Sequence, residues 1–161
     1  MNVLPLHPVA GPAAAMPASA TFTAWGAPVE ITAPAALLPG CRALVARLQR
    51  LWNPTIPGSD LHRLYASVGT VVPVEPETVA LVELAARAAR HDPHPPRALH
   101  DVVVDPRHGR AGLPEPELLD FRTMIPVLTA ALLVRFLQER GAGVARVRIG
   151  PTERRTDTPA A

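Results

Sequence analysis

The chain has 161 residues, 48% of them hydrophobic, enough for one domain with a sizeable core. All 16 basic residues behind its formal charge of +2 are Arg, which excludes Schiff-base chemistry and a P-loop lysine. Aromatics make up only 4%, so the core must rest on Leu, Val, Ala and Ile, and the scattered Arg residues lack the interleaved aromatics of a nucleic-acid surface.

Residues 1–20 are rich in Pro and Ala and read as a disordered tail. Their "ASA" end resembles a cleavage site, but no positive region precedes it and prolines 5, 8 and 12 break the apolar run, so no signal peptide is expected. Residues 21–32, "TFTAWGAPVEIT", alternate and predict one strand, bent near Gly26-Ala27-Pro28. Leu44, Val45, Leu48 and Leu51 are spaced for a helix that starts firmly near Cys41. "WNPTIPG" is a loop, after which Ser59 caps a short helix with Asp60 in its first turn and Gly69 ends it.

"TVVPV" predicts a short strand, at an edge because of Pro73. "EPETVALVELAARAAR" is a helix with Pro76 at its start, acids in its first turn and arginines in its last. "ALHDVVVD" is a strand candidate and "PRHGRAGLPEPE" a polar loop. Thr123 is positioned to cap a helix over 124–140 that tolerates Pro126 in its first turn and stops at Gly141. "GVARVRIG" is the final strand, and residues 152–161 read as a flexible tail. Helices and strands mix without regular βα repetition, so the class is α+β, a mixed sheet with helices packed on it. The longest apolar run, "MIPVLTAALLV", has 11 residues and suits a buried helix rather than a membrane span.

A single cysteine, Cys41, excludes an internal disulfide and fits a reducing, cytoplasmic setting. A helix start lowers a thiol pKa; the plainer reading is a small residue at a helix N-terminus. His91, His94, His100 and His108 lie near Asp92, Asp101 and Asp105, but their spacing matches no closed metal site, so a solvated loop is the default. Arg146, Arg148, Arg154 and Arg155 form the one basic cluster, read as the polar face of a strand running into a solvated tail. No G-x-S-x-G, H-E-x-x-H or P-loop pattern is present.

Two segments say more together. Residues 58–89 contain Ser59-Asp60-Leu61-His62-Arg63-Leu64-Tyr65, then Gly69, a run from Val71 to Val74, and a Leu/Ala-rich helix. Residues 118–150 contain Leu119-Asp120-Phe121, a helix, Gly141, and a strand ending at Gly150. Taken in this order, with Gly26 in a first strand, residues 21–151 resemble the FAD:protein FMN transferase, or ApbE-like, family. The first segment is similar to the family's S-E/D-L-S-R-L-N, and the second to its L-D-L/F-G-G-I-G/A-K-G-x-A-A-D.

The resemblance implies a T-fold-related α+β domain spanning 21–151, truncated relative to the family. It also implies that Gly26, Ser59, Asp120 and Gly150 line an FAD cleft, and a parent reaction that moves FMN from FAD to a protein Thr or Ser with Mg²⁺. The ligand positions depart from the family's. Arg122 and Thr123 stand where it has glycines, Pro126 where it has lysine, and Val127 at the next glycine. Tyr65 replaces the asparagine that ends the first motif, and Pro151-Thr152 follow Gly150 in place of G-D.

Glycines let a backbone approach phosphate and aim its N–H groups at it; Arg122 and Thr123 bring side chains into that space and Pro126 has no N–H. The family's metal-binding Asp/Thr segment lies beyond the matched part, so Mg²⁺ is not expected in this chain alone. The expectation is a degenerate, non-catalytic relative that binds a flavin nucleotide or serves as an interaction subunit, through a protein partner or self-association. One alternative is an active transferase completed by a partner chain or a homodimer. Another is an unrelated α+β interaction module. Arg122 is a candidate to grip phosphate in place of the lost glycine loop.

Overall fold

The alternation of residues 17–34 makes a hairpin rather than one bent strand. A computed structural model describes residues 16–93, 97–115 and 119–156. In chain order its elements are β1 (Pro17–Ala24), β2 (Ala27–Pro34), α1 (Leu38–Leu51), α2 (Asp60–Ala66), β3 (Val72–Pro73) and α3 (Pro76–Arg90). β4 (Val103–Asp105), β5 (Arg110–Gly112), α4 (Phe121–Glu139), β6 (Arg146–Ile149) and β7 (Thr152–Arg155) follow. The α+β class is as expected; the strands divide into two sheets, ordered β1-β2-β6-β7 and β3-β5-β4, with every pairing antiparallel.

β1 reverses into β2 at Trp25-Gly26, where φ is 50° and 75°. Positive φ at both central residues defines the tight turn whose twist matches a hairpin, so the chain doubles back where a bend was expected. β1 starts at Pro17, four residues inside the expected tail. β7 lies in the stretch after 151 that was also read as a tail. Gly150, at φ 54°, makes that return. Buried Thr156 anchors the end: its Oγ1 accepts from the Ala145 N–H at 2.7 Å and donates to the Gly143 carbonyl at 3.0 Å.

One face of the larger sheet is polar, with Glu30–Arg148 at 3.3 Å and Arg146–Glu153 at 2.6 Å across neighbouring strands. The other buries Val29, Ile31, Ala33, Val147 and Ile149 against Cys41 and Val45 of α1 and Ala130, Leu133 and Leu137 of α4. This is the in/out alternation of an antiparallel sheet solvated on one side. A second core gathers Leu48, Trp52, Leu61, Leu64, Leu81, Val82, Leu113, Phe121 and Ile125 around α2, α3 and the smaller sheet.

Phe121, Met124, Ile125, Leu128 and Leu132 of α4 pack with the second core, and Ala130, Leu133, Val134, Phe136 and Leu137 with the first. Two cores on different sides require apolar residues around its whole circumference. Its 19 residues, with mean hydropathy 1.3, are therefore long and apolar enough to cross a membrane, although Ala130, Leu133 and Leu137 are fully buried within this fold.

Several local expectations change. Of "ALHDVVVD" only Val103–Asp105 is strand, and Arg97–Asp101 is a 3-10 turn. The expected polar loop supplies β5, the centre of the small sheet, with β3 at its edge as Pro73 requires. Gly112 of β5 is tightly enclosed: a Cβ would lie 3.1 Å from the Thr70 carbonyl oxygen and 3.2 Å from Val71 Cα, so the backbone of β3's approach would have to give. Asp120, not Thr123, caps α4. Its carboxylate accepts from the Thr123 N–H at 3.0 Å and from the Thr123 hydroxyl. The helix thus starts at Phe121, which puts Pro126 beyond its first turn and removes the i+4 donor for the Arg122 carbonyl.

Candidate functional site

Chain scarcity marks the site. The protein has three Phe, two Trp and one Tyr. Both Trp, the Tyr and one Phe line a single cleft of about 420 Å³. Its walls come from four separate segments. Trp25 stands on the β1–β2 turn, Trp52 and Pro54 follow α1, Leu61 and Tyr65 belong to α2, and Phe121, Arg122, Ile125 and Pro126 open α4.

The four rings contact one another in two pairs. Trp25 and Trp52 have centroids 6.1 Å apart at 31°, and Tyr65 and Phe121 are 6.3 Å apart at 37°. These are tilted contacts in the range aromatic side chains favour. Trp52 is fixed from behind, since its buried Nε1 donates to Thr78 Oγ1 at 3.1 Å. Trp25 is not: its Nε1 is buried with no hydrogen-bond partner. Burial pushes the Tyr65 phenol pKa up, against the pull of the Arg122 charge, so the hydroxyl stays a donor at neutral pH. Arg122 is the one charged residue of the lining, and its side chain is exposed. Among the described residues the lining holds no carboxylate, His, Cys, Ser or Thr. Its lining joins four aromatic rings, aliphatic side chains, one phenol hydroxyl and one guanidinium.

None of the four sequence-derived site residues lines this cleft; three stand within two positions of a residue that does. Gly26 shares the turn with Trp25. Ser59 is buried and spent as the α2 cap, its Oγ accepting from the His62 N–H at 3.1 Å and donating to the Asn53 carbonyl at 2.6 Å. Asp120 precedes Phe121 and Arg122, and its pKa is lowered chiefly by the Thr123 hydroxyl. Gly150 sits at the same end of the sheet as Gly26, its N–H donating to the Pro28 carbonyl at 3.0 Å, but it does not reach the cleft. Of the two side chains expected to fill the lost glycine loop, Arg122 lines the cleft and Thr123 turns to the Asp120 cap.

The remaining candidates are structural. Cys41 is fully buried and burial raises its pKa to about 11, so the helix start does not activate it. His91 Nδ1 lies 2.7 Å from the Arg87 carbonyl oxygen, and His108 Nδ1 lies 2.8 Å from Asp105. His94 lies outside the described residues. Among the described residues no three His, Cys, Asp or Glu side chains converge on one point. A second groove, of about 360 Å³ between α1, α3 and α4, has charges already engaged in Arg47–Glu77 and Arg135–Glu139 pairs.

No family model and no curated protein matches the sequence. Comparison with solved structures does give matches, and they place the chain in a structural class: it has the fold of the ApbE flavin transferases, as the motifs implied. The apo flavinyl transferase ApbE of Pseudomonas stutzeri matches with a TM-score of 0.69 at 15% identity, over 90% of this chain and 62% of that one. An H257G mutant of the flavin transferase ApbE from Vibrio cholerae matches with 0.70 at 15% identity, over 87% and 62%. The ApbE protein from Thermotoga maritima matches with 0.70 at 14% identity, over 89% and 60%. The chain thus spans about three fifths of the length of these structures.

Proposed function

We propose that the protein is a flavin-transferase-like protein that binds a flavin nucleotide and does not transfer it. One observation carries this reading: within a flavin-transferase fold, the α4 segment similar to the family's glycine-rich motif forms one wall of an aromatic cleft whose one charged side chain is Arg122. Flat aromatic ligands gain from such walls through stacking and apolar burial. Transfer of FMN from FAD needs an electrophile at the pyrophosphate, and the described residues present no metal-ligand cluster to supply one. In this reading the protein acts in the cytoplasm, as a flavin-binding or interaction subunit.

The test is titration of the purified protein with FAD and FMN, with and without Mg²⁺, by fluorescence and calorimetry. A Thr-containing acceptor peptide is included to detect transfer. Saturable binding that is indifferent to Mg²⁺, with no flavinylated peptide, is the expected result. No binding of either flavin overturns the reading.

The coverage of 60–62% of the solved structures favours a second reading, a transferase completed by a further segment or chain. Mg²⁺-dependent flavinylation on adding such a segment would select it.

A further inference from the structure

We propose that the open edge of β7 is a docking surface for an extended acidic segment of a partner protein, which adds a strand to the larger sheet and sets a carboxylate against Arg154. This edge stands apart from the aromatic cleft, with which it shares no lining residue.

β7 pairs with β6 on one side and with no described strand on the other. Every second residue of such an edge turns its N–H and C=O outward, a template for a further strand. "TERR" contains no proline, so no donor is missing from it. The core side of the edge is also unfilled. A cavity of about 450 Å³ lies there, lined by Ala131, Val134 and Gln138 of α4 and by Arg154 and Arg155. The β1 edge differs: Phe22 packs against the core there and carries the Arg42 guanidinium 5.2 Å from its ring centroid.

The arginines supply the chemistry. Arg146 and Arg155 pair with Glu153, and Arg148 with Glu30, all on the polar face. Arg154 lies opposite Val147, whose side chain is buried, so it belongs to the α4 side of the sheet. Among the described residues no carboxylate pairs with it. A charge on the inward side of an edge strand bars strands that bring an apolar or basic residue opposite it and admits one that brings a carboxylate. The next inward side chains of that strand meet Ala131 and Val134, both half-buried on α4, so small apolar residues suit those places.

A second copy of the chain fits this edge poorly. Two-fold pairing of β7 with itself keeps each face of the sheet on its own side, so one residue must lie opposite its own copy. In β7 that residue is Glu153, Arg154 or Arg155, unless the overlap shrinks towards the turn at Gly150. Like charges directly opposite each other destabilise a strand pair. An acidic strand from another protein meets no such conflict.

The experiment titrates the isotope-labelled full chain with two capped peptides and follows its amide shifts. In each peptide Thr alternates with Val, and the central residue of the Val face is Glu in one and Lys in the other. The Glu peptide is expected to shift the amides of Thr152–Arg155 saturably and to bind about tenfold more tightly than the Lys peptide. Arg154→Glu should invert that preference and leave flavin affinity unchanged, so the outcome is independent of the flavin reading. Arg154 is exposed, and binding of the Lys peptide verifies that the variant is folded.

If neither peptide shifts these amides, or both bind parent and variant alike, the proposal fails. It fails too if inorganic phosphate gives the same shifts at the same concentration, which makes the cavity a simple anion site. A parent chain that sediments as a dimer and dissociates in Arg154→Glu would assign the edge to a second copy instead. No peptide binding, with self-association of Arg154→Val, would leave Arg154 as a guard of the edge alone.

Discussion

Trp52 and Thr78, on different helical segments, are joined by a buried hydrogen bond of 3.1 Å from the indole Nε1 to Oγ1. The same hydroxyl donates to Asp60 Oδ2 at 2.6 Å, and that oxygen also accepts from the Glu75 N–H at 2.8 Å. Arg63 pairs with the other carboxylate oxygen. One chain of bonds thus ties the end of α1 to the starts of α2 and α3 and sets the orientation of one cleft wall. Thr78→Val keeps the shape and strands two buried groups, the Trp52 N–H and an Asp60 oxygen. It should cost about 2–3 kcal/mol in urea unfolding, while Thr78→Ser recovers most of it. A Val variant as stable as the parent would mean that the network contributes nothing.

Asp120 makes stability depend on acid. Its carboxyl is held below the ordinary carboxylate range, first by the Thr123 hydroxyl and then by the Thr123 N–H. A group with a depressed pKa stabilises fully above its unfolded value of about 4 and loses that stabilisation as pH falls through the folded value. Asn caps equally well and does not titrate. Below about pH 4 the parent should therefore lose stability more steeply than Asp120→Asn. At neutral pH, Asp120→Ala should cost about 1 kcal/mol for the lost cap. Parallel pH profiles for the parent and the Asn variant would remove Asp120 from the account.

Cys41 reports global opening. It is fully buried and its pKa is about 11, so in the folded protein at pH 8 the thiolate is about one part in a thousand, on top of a closed core. An aromatic disulfide reagent should label it slowly in buffer and at once in denaturant, with a rate in buffer that tracks unfolding. Rapid native labelling would show that α1 opens away from the larger sheet.

Trp25→Asn separates stability from binding. Asn-Gly suits a turn with two positive φ values, which offsets the lost ring contact with Trp52 by about 1 kcal/mol. The variant should melt close to the parent and lose flavin binding by about tenfold or more. A variant that binds as well as the parent would remove Trp25 from the cleft's ligand contacts.

The local elements were legible where the signal was local. α3 carries Pro at its start, acids before arginines and an apolar face, and it spans Pro76–Arg90 as those features require. Ser59 caps α2 as expected, and Gly141 ends α4 at φ 73°. The short polar strands were not legible. β7 reads "TERR" and β5 "RAG", with little β propensity; they are strands because β6 offers backbone partners to β7, and β3 and β4 offer them to β5 from either side. The start of α4 was misplaced because two good caps stand three residues apart, and Asp120 accepts from Thr123.

The mixture of helical and strand periods set the α+β class and motif order set the family it resembles, because caps, apolar period and turn glycines act over a few residues and survive in sequence. The cleft was decided in three dimensions. Gly26, Ser59, Asp120 and Gly150 are the positions a motif preserves, and here they make turns and caps. The side chains that line the cleft include their neighbours Trp25, Leu61, Phe121 and Arg122, together with Trp52 and Tyr65. Those residues are far apart in the chain and follow no period. They meet because the β1–β2 turn, the end of α1, α2 and the start of α4 pack around one core. Which indole N–H finds an acceptor depends on that packing: Thr78 Oγ1 reaches Trp52 Nε1, while the atoms that bury Trp25 Nε1 include no acceptor within hydrogen-bond distance.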